Sequence, residues 1–232
     1  MGSSGQVTWG IHVTGHEGRH WGGASPGDLK LSGVTLGAKE KVGGDKVENQ
    51  ELGAESLQAC FNNGKLNAQS GSGIWFGPAD ERNKAIQVPR DLLSNQIGEI
   101  VAVIIAVEAT PTFQPLEILT DSKYVINGLT MHLGIWEDRG WIGIKNAPLF
   151  KKVAHLLRKC TAPTSFRWVK GHDRIEGNEE SDRLAKEGAV KDTEDRIDLT
   201  IPVEFDTQGA KLNTLTQALA YRGIKESQHP AP

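Results

Sequence analysis

Three acidic residues stand out by their surroundings. Glu99 sits among Ile97, Ile100, Val101 and Val103, and a buried carboxylate without a partner costs several kcal/mol. Asp121 closes the strand-like run "PLEILTD" just ahead of a helical stretch. In open α/β sheets, ligands gather beyond the carboxyl ends of strands. Asp182 lies a turn into "NEESDRLAKEGA", which follows another strand-like run, "TSFRWVKG". Taken singly, Asp121 and Asp182 are explained as well by a helix cap or a solvated face. Taken together, on elements of one sheet, the three make an all-oxygen set of the kind Mg²⁺ takes while keeping waters and a phosphate. Two such ions roughly 4 Å apart activate water and steady the leaving oxygen of a phosphodiester.

The elements that must position these acids follow from periodicity. "GSGIWFG" and "KAIQV" are strand-like runs joined by the polar turn "PADERN", a hairpin. "SNQIGEIVAVIIAVEA" predicts a helix with Ser94 as N-cap, apolar nearly all round and therefore buried. "SKYVINGLTMHL" has helical spacing through Tyr124, Val125, Leu129 and Leu133. "APLFKKVAHLLRKC" is amphipathic, with Pro148 in its first turn. "NEESDRLAKEGA" is the last core helix, with Asn178 as its cap, and "IDLTIPVEF" is strand-like before a weak final helix. The order is hairpin, helix, strand, helix, helix, strand, helix, which makes the fold class α/β with a mixed β-sheet flanked by helices.

Residues 1–55 carry Gly, Lys and Glu with short apolar fragments, and no element is expected there. His12, His16 and His20 recur at four-residue spacing, which on a helix would make a metal-binding face. Gly10, Gly15, Gly18, Gly22 and Gly23 argue against that helix.

A net charge of −3 does not by itself suggest a polyanionic partner, but the charge is unevenly placed. Between Arg139 and Arg174 there are nine Lys or Arg residues and one acid, Asp173; from Glu176 to Asp206 there are eleven acids and four bases. Such blocks are either ordinary solvated faces or an interaction surface beside a site. No apolar run is long enough to cross a membrane, and the first residues lack the apolar core of a signal peptide. Cys60 and Cys160 are the only cysteines, too few for a disulfide framework. A monomer in a reducing, intracellular compartment, nucleus or cytoplasm, is the expectation.

"LTDSKYVINGL" and "WVKGHDRIEGNEESDRLAKEGA" resemble two signature stretches of type 1 ribonuclease H. "SNQIGEIVAV" is similar to the family's glutamate helix, and "ACFNNGKLNAQSGSGIWFG" to its first hairpin. The resemblance covers about residues 56–190 in the family's order. It divides the chain into a divergent N-terminal segment 1–55, an RNase H-like domain 56–190 and a C-terminal extension 191–232. It implies metal-dependent cleavage of RNA in an RNA–DNA hybrid, with Mg²⁺, or Mn²⁺ in its place, held by Glu99, Asp121 and Asp182. His172, otherwise a surface residue on a glycine loop, becomes the mobile histidine that assists proton transfer or product release. Asn63, Asn95 and Gln96 fall where the family contacts the hybrid's minor groove, including 2′-hydroxyls. Ser94 and Asn146 fall where it grips a DNA phosphate, although Ser94 is equally a plain helix cap. Tyr124 and Trp136 resemble aromatics along the DNA-strand channel, or are core. The basic block then meets backbone phosphates.

One departure bears on all of this. The family's first strand ends in an Asp-Gly pair that completes a set of four carboxylates. Aligned on Cys60 and Asn63-Gly64, these positions are Leu57 and Gln58, and leucine cannot bind a metal. Glu55 is two positions off, about 7 Å along a strand. The resemblance is to a retroelement-type relative of fungal or eukaryotic kind whose start has been replaced. Two functions follow: an RNA–DNA hybrid endoribonuclease with impaired activity, or a non-catalytic nucleic-acid-binding module on an RNase H fold. On the resemblance alone, Leu57→Asp should restore hydrolysis.

Overall fold

The computed structural model describes residues 8–14, 54–61, 69–92, 94–170, 176–206 and 209–228, with backbone alone for the first two stretches and for Asp91, Asn95 and Glu176. The strands are β1 (Thr8–Thr14), β2 (Ala54–Phe61), β3 (Gln69–Trp75), β4 (Lys84–Val88), β5 (Leu116–Thr120) and β6 (Thr164–Trp168). The helices are α1 (Asn95–Glu108), α2 (Lys123–Asn127), α3 (Leu133–Asp138), α4 (Ala147–Lys159), α5 (Glu176–Ala189) and α6 (Gln217–Gln228). The fold is α/β, a mixed six-stranded sheet in the order β4-β3-β2-β1-β5-β6 with helices on both faces. None of the described helices is long and apolar enough to cross a membrane.

The small residues of β3 explain how two helices reach it from opposite sides. Ser72 donates its hydroxyl to Gly98 O at 2.7 Å, which ties α1 to one face. The alternating neighbours Gly71 and Gly73 face α5. A Cβ at Gly73 would lie 2.1 Å from Ser181 O and 2.5 Å from Ala185 N. Gly188 of α5 meets the Ile86 backbone in the same way, its own Cβ position being 2.3 Å from Ile86 O. Glycine on both partners lets α5 lie flat on β3 and β4. On the other face Ile100, Val101, Val103, Ile104 and Ala106 of α1 are fully buried between the sheet and α4. Each large aliphatic side chain buried in this way is worth about 1.5–3 kcal/mol.

Three elements differ from expectation. The helix expected over 122–133 breaks into α2, a π-helical turn at Gly128–His132, and α3. Gly128 is pressed against Phe150 and Trp136, and Thr130 Oγ1 donates to Ile126 O at 2.6 Å, a side-chain bond that competes with the helical ladder. The run "IDLTIPVEF" is not a strand: Pro202 lacks an N–H, and the Asp198 side chain accepts from Thr200 N at 2.9 Å, which turns the chain. Asn178 is buried inside α5, which begins at Glu176, and so is not its cap.

The fourth difference matters most for the site. "TWGIHVT", where no element is expected, is a strand with Trp9, Ile11 and Val13 in period-2 alternation. It pairs antiparallel with β2 (Gly10↔Leu57) and with β5 (Ile11↔Thr120, Thr14↔Glu117). β2 also bridges β5 directly, in parallel, at Ala54↔Ile118 and Glu55↔Leu119. β1 is therefore a wedge: β2 and β5 meet near Glu55 and are held one strand apart at position 57. His12 lies within β1, which removes the helix that the histidine-spacing idea required; His16 and His20 lie outside the described residues.

β4 forms one edge of the sheet, and the segment after α5 covers it. Gln87 N donates to Asp195 Oδ2 at 2.6 Å, and Asp195 N donates to Gln87 O at 3.1 Å. Covering an edge strand prevents pairing with another chain. Ile197 and Leu199 then pack on the core beside α4, and the chain continues to α6.

Candidate active site

β5 and β6 run parallel, and both end beside the candidate acids. β5 stops because "TDS" turns it. Thr120 Oγ1 accepts from Ser122 N at 3.0 Å, and Ser122 Oγ accepts from Val125 N at 3.3 Å to cap α2. Asp121 is pinned between them and is 6% exposed. Its carbonyl accepts from Trp168 Nε1 at 3.1 Å, while Val169 N donates to Thr120 O at 3.0 Å. Trp168 itself is 47% exposed and carries the Lys123 ammonium 5.3 Å from its ring centroid.

Glu99 approaches from α1. It is 8% exposed, and its Oε2 accepts a short hydrogen bond from Ser122 Oγ. Burial pushes the Glu99 carboxyl up to about 7; the Ser122 hydrogen bond pulls it down, and the charge of Asp121 pushes it further up. A carboxyl held near neutrality by burial beside a second acid is the electrostatic signature of a place that favours a cation.

Beyond Glu99 stands a polar pair. Asn146 precedes α4 in the left-handed conformation (φ 59°), and its side chain does not cap that helix. Its Nδ2 donates to Tyr124 Oη at 3.1 Å, and Tyr124 Oη donates to Lys145 O at 3.4 Å. Burial raises the Tyr124 hydroxyl above its ordinary value, the Asn146 hydrogen bond opposes this, and the Glu99 charge adds to it, which places Tyr124 in the field of Glu99.

Asp182 sits in the second turn of α5, within the 181–185 stretch that presses on Gly73. Its Oδ2 is ion-paired with Lys186 one turn on, and its buried Oδ1 has no hydrogen-bond partner among the described residues. Gly73 pairs with Leu57. Asp182 thus stands over β3 and β2, whereas Asp121 stands at the end of β5, on the far side of β1. Among the described residues, no three His, Cys, Asp or Glu side chains lie close enough to hold one metal ion. The inserted strand accounts for this, because each strand adds about 4.8 Å to the width of the sheet. Glu99 and Asp121 come together; Asp182 does not join them. These two carboxylates fit a magnesium ion of the usual kind, held by one or two carboxylates, waters and a substrate phosphate.

The family model for RNase H matches residues 58–190. The chain belongs to the RNase H family. Human Ribonuclease H1 is 36% identical over 141 residues, 59% of this chain and 49% of that protein. Ribonuclease H of Schizosaccharomyces pombe is 33% identical over 136 residues, 56% of this chain and 50% of its own length. Ribonuclease H of Polynucleobacter asymbioticus is 34% identical over 135 residues, covering 55% of this chain and 86% of that enzyme. The chain spans about half the length of the mammalian relatives it matches. The crystal structure of LC9-RNase H1, "a type 1 RNase H with the type 2 active-site motif", aligns with a TM-score of 0.40 at 21% identity, over 63% of this chain and 66% of that one. The family match begins at Gln58, so Leu57 lies just outside it and β1 well before it.

Within this family frame the remaining candidates sort by their contacts. Ser94 is the N-cap of α1, accepting from Ile97 N at 3.3 Å, so the plain structural role is real. Gln96 is half-buried in the first turn of α1, and Asn95 beside it is described by its backbone. Trp136 packs edge-on to Phe150 (4.9 Å between centroids) and against Trp141 and His132, a partly buried place in the core. Asn63 and His172 lie outside the described residues.

The basic block is only partly open. Lys151 pairs with Asp206, Lys152 with Glu108 and Asp198, Arg158 with Glu137, and Arg167 with Glu117. Four of its nine cations are thereby occupied, two of them by acids from the neighbouring acidic block. Sequence reasoning also missed Ser122 and Lys186. Both carried a signal: Ser122 as the hydroxyl cap after a strand-end aspartate, and Lys186 as a base four residues after Asp182 on one helix.

Proposed function

We propose that the chain is an RNA–DNA hybrid ribonuclease with weakened hydrolysis. The observation that carries this, within RNase H family membership, is the buried Glu99 carboxyl held by Ser122 against Asp121 at the end of β5. Glu99 and Asp121 are the residues that would hold Mg²⁺, or Mn²⁺, with Asp182 as a third acid on α5. When bound, the metal supplies charge to the scissile phosphate and lowers the pKa of its water. The protein's own residues have separate tasks. Ser122 fixes the Glu99 carboxylate, and Trp168 and Thr120 fix the backbone at Asp121. Asn146, oriented by Tyr124, offers a polar group to a DNA-strand phosphate, and Ser94 at the start of α1 is the second such position. Asn63, Asn95 and Gln96 are the positions assigned to the minor groove, where a 2′-hydroxyl tells RNA from DNA. His172 is assigned proton transfer or product release.

A second reading, a binding module without hydrolysis, is favoured by β1, which separates position 57 from β5, given the resemblance's alignment of Leu57 with the family's first aspartate. A labelled hybrid incubated with the chain and Mg²⁺ or Mn²⁺ decides between the two. Slow cleavage of the RNA strand, abolished by Asp121→Asn, is the expected result. Binding of hybrid with no cleavage above the Asp121→Asn background establishes the binding module instead.

A further inference from the structure

The C-terminal extension, outside the family match, is tightly built onto the loop that leads into Asn146. Lys211 N and Thr214 Oγ1 both donate to Asp138 O at 2.8 Å, and the Lys211 ammonium pairs with Asp138. Gly140, in the left-handed region (φ 64°), lies against Gly209; a Cβ there would be 2.3 Å from its carbonyl carbon. Gly143 (φ 73°) is covered by the Arg222 side chain, and its N–H donates to Glu226 Oε2 at 3.2 Å. These contacts seat α6 beside residues 140–146.

Between α6 and that loop runs an open groove of about 700 Å³ lined by Gly143, Ala218, Tyr221, Arg222, Lys225 and Glu226. Its chemistry is that of a phosphodiester contact. Arg222 and Lys225 are exposed cations, and Tyr221 is 72% exposed with its ring and hydroxyl available. The one acid, Glu226, is engaged with the Gly143 N–H. From Asp206 onward the charge reverses: residues 207–232 hold Lys211, Arg222 and Lys225 against Glu226 alone. Gly143 is three residues before Asn146, so the groove begins within about 11 Å of that residue. Phosphates of one strand rise 3.4 Å apiece along the duplex axis, so the groove begins at most about three phosphates from that residue. Four members of the basic block are already paired internally, so these α6 cations add to what that block offers a duplex.

We propose that α6 and the 140–146 loop form a second nucleic-acid contact, in which Arg222, Lys225 and Tyr221 receive the backbone of the hybrid within about three phosphates of Asn146. This rests on the hybrid-binding function proposed above.

The test is the salt dependence of hybrid binding for the full chain and for Arg222→Gln/Lys225→Gln, by fluorescence anisotropy with Asp121→Asn in both so that no cleavage intervenes. Loss of two phosphate contacts should lower the slope of log K against log salt by about 1.8. Affinity near 100 mM salt should fall on the order of tenfold, and Lys225→Gln alone, which keeps Arg222 over Gly143, should lower the slope by about 0.9. Tyr221→Ala should weaken binding without changing the slope. Equal slopes and affinities in parent and double variant overturn the groove while leaving the hybrid-binding function standing. A parent chain that binds no hybrid even at low salt overturns that function, and the groove with it.

Discussion

Replacing Glu99 by glutamine should make the protein more stable, and only at the alkaline end of its range. Glu99 has a folded-state pKa of about 7 against an ordinary value of 4.5, with burial as the main cause. Below pH 4.5 the carboxyl is neutral in both folded and unfolded chains and contributes nothing. As pH rises from 4.5 to 7 the unfolded chain ionises first, and stability is lost over that window. Above about pH 7 the folded state carries the whole penalty, which at about 1.4 kcal/mol per pH unit amounts to about 3 kcal/mol. Glu99→Gln removes the charge and keeps a carbonyl for the Ser122 hydroxyl. Its advantage should be below about 1 kcal/mol at pH 5 and about 3 kcal/mol at pH 8. For a chain of this size, 1 kcal/mol moves Tm by about 2–4 °C, so the expected gain is about 6–12 °C at pH 8. Thermal melts followed by circular dichroism, free of divalent metal, from pH 5 to 9 provide the measurement. Mg²⁺ should then stabilise the parent at pH 8, by about 2.7 kcal/mol at a hundredfold excess over Kd, and so raise its Tm, while leaving Glu99→Gln unmoved. Parallel Tm-against-pH curves for the two proteins would refute the burial argument. A Mg²⁺ response equal in both would refute the assignment of Glu99 as a ligand.

Two further outcomes follow from the packing. Gly73→Ala puts a methyl 2.1 Å from Ser181 O and 2.5 Å from Ala185 N, backbone atoms that move only if α5 lifts; a loss of about 1–3 kcal/mol in urea unfolding is expected. Gly134→Ala, in exposed α3 with nothing within 4 Å, should instead gain up to about 1 kcal/mol, and an equal loss in both would show that α5 is not seated on Gly73 as described. Leu57→Asp alone should recover little cleavage, because β1 sets position 57 two strand spacings, about 9.6 Å, from the end of β5. Joined with removal of residues 1–14, which lets β2 and β5 close, it should recover on the order of 10²-fold, the scale of one electrostatic contact to the transition state. Robust cleavage by Leu57→Asp in the intact chain would show that β1 does not hold the strands apart.

Several strong local signals were enough by themselves, although 122–133 is not one helix, "IDLTIPVEF" is not a strand and Asn178 is not a cap. The hairpin of β3 and β4, the buried helix α1 with its Ser94 cap, β5, α4 and β6 all follow from period, capping residue and turn chemistry within a few positions of one another. The same kind of signal picked out Glu99 and Asp121: a charge inside an apolar helix, and an acid where a strand turns. The family motifs added what periodicity cannot supply, namely which acids belong to one chemistry. Tertiary structure decided the pairings. Nothing in "TWGIHVT" says which strands it joins, and that choice sets the distance between position 57 and Asp121. The partner of a charge is likewise invisible in one dimension. Lys151 and Lys152 look like phosphate contacts until the acidic segment folds back over α4 and neutralises them. Arg222 and Lys225, in a weak helix far from every motif, come to border the Asn146 loop for the same reason. Which apolar surfaces meet is encoded locally, as a pattern; which charges and strand edges meet depends on the path of the whole chain.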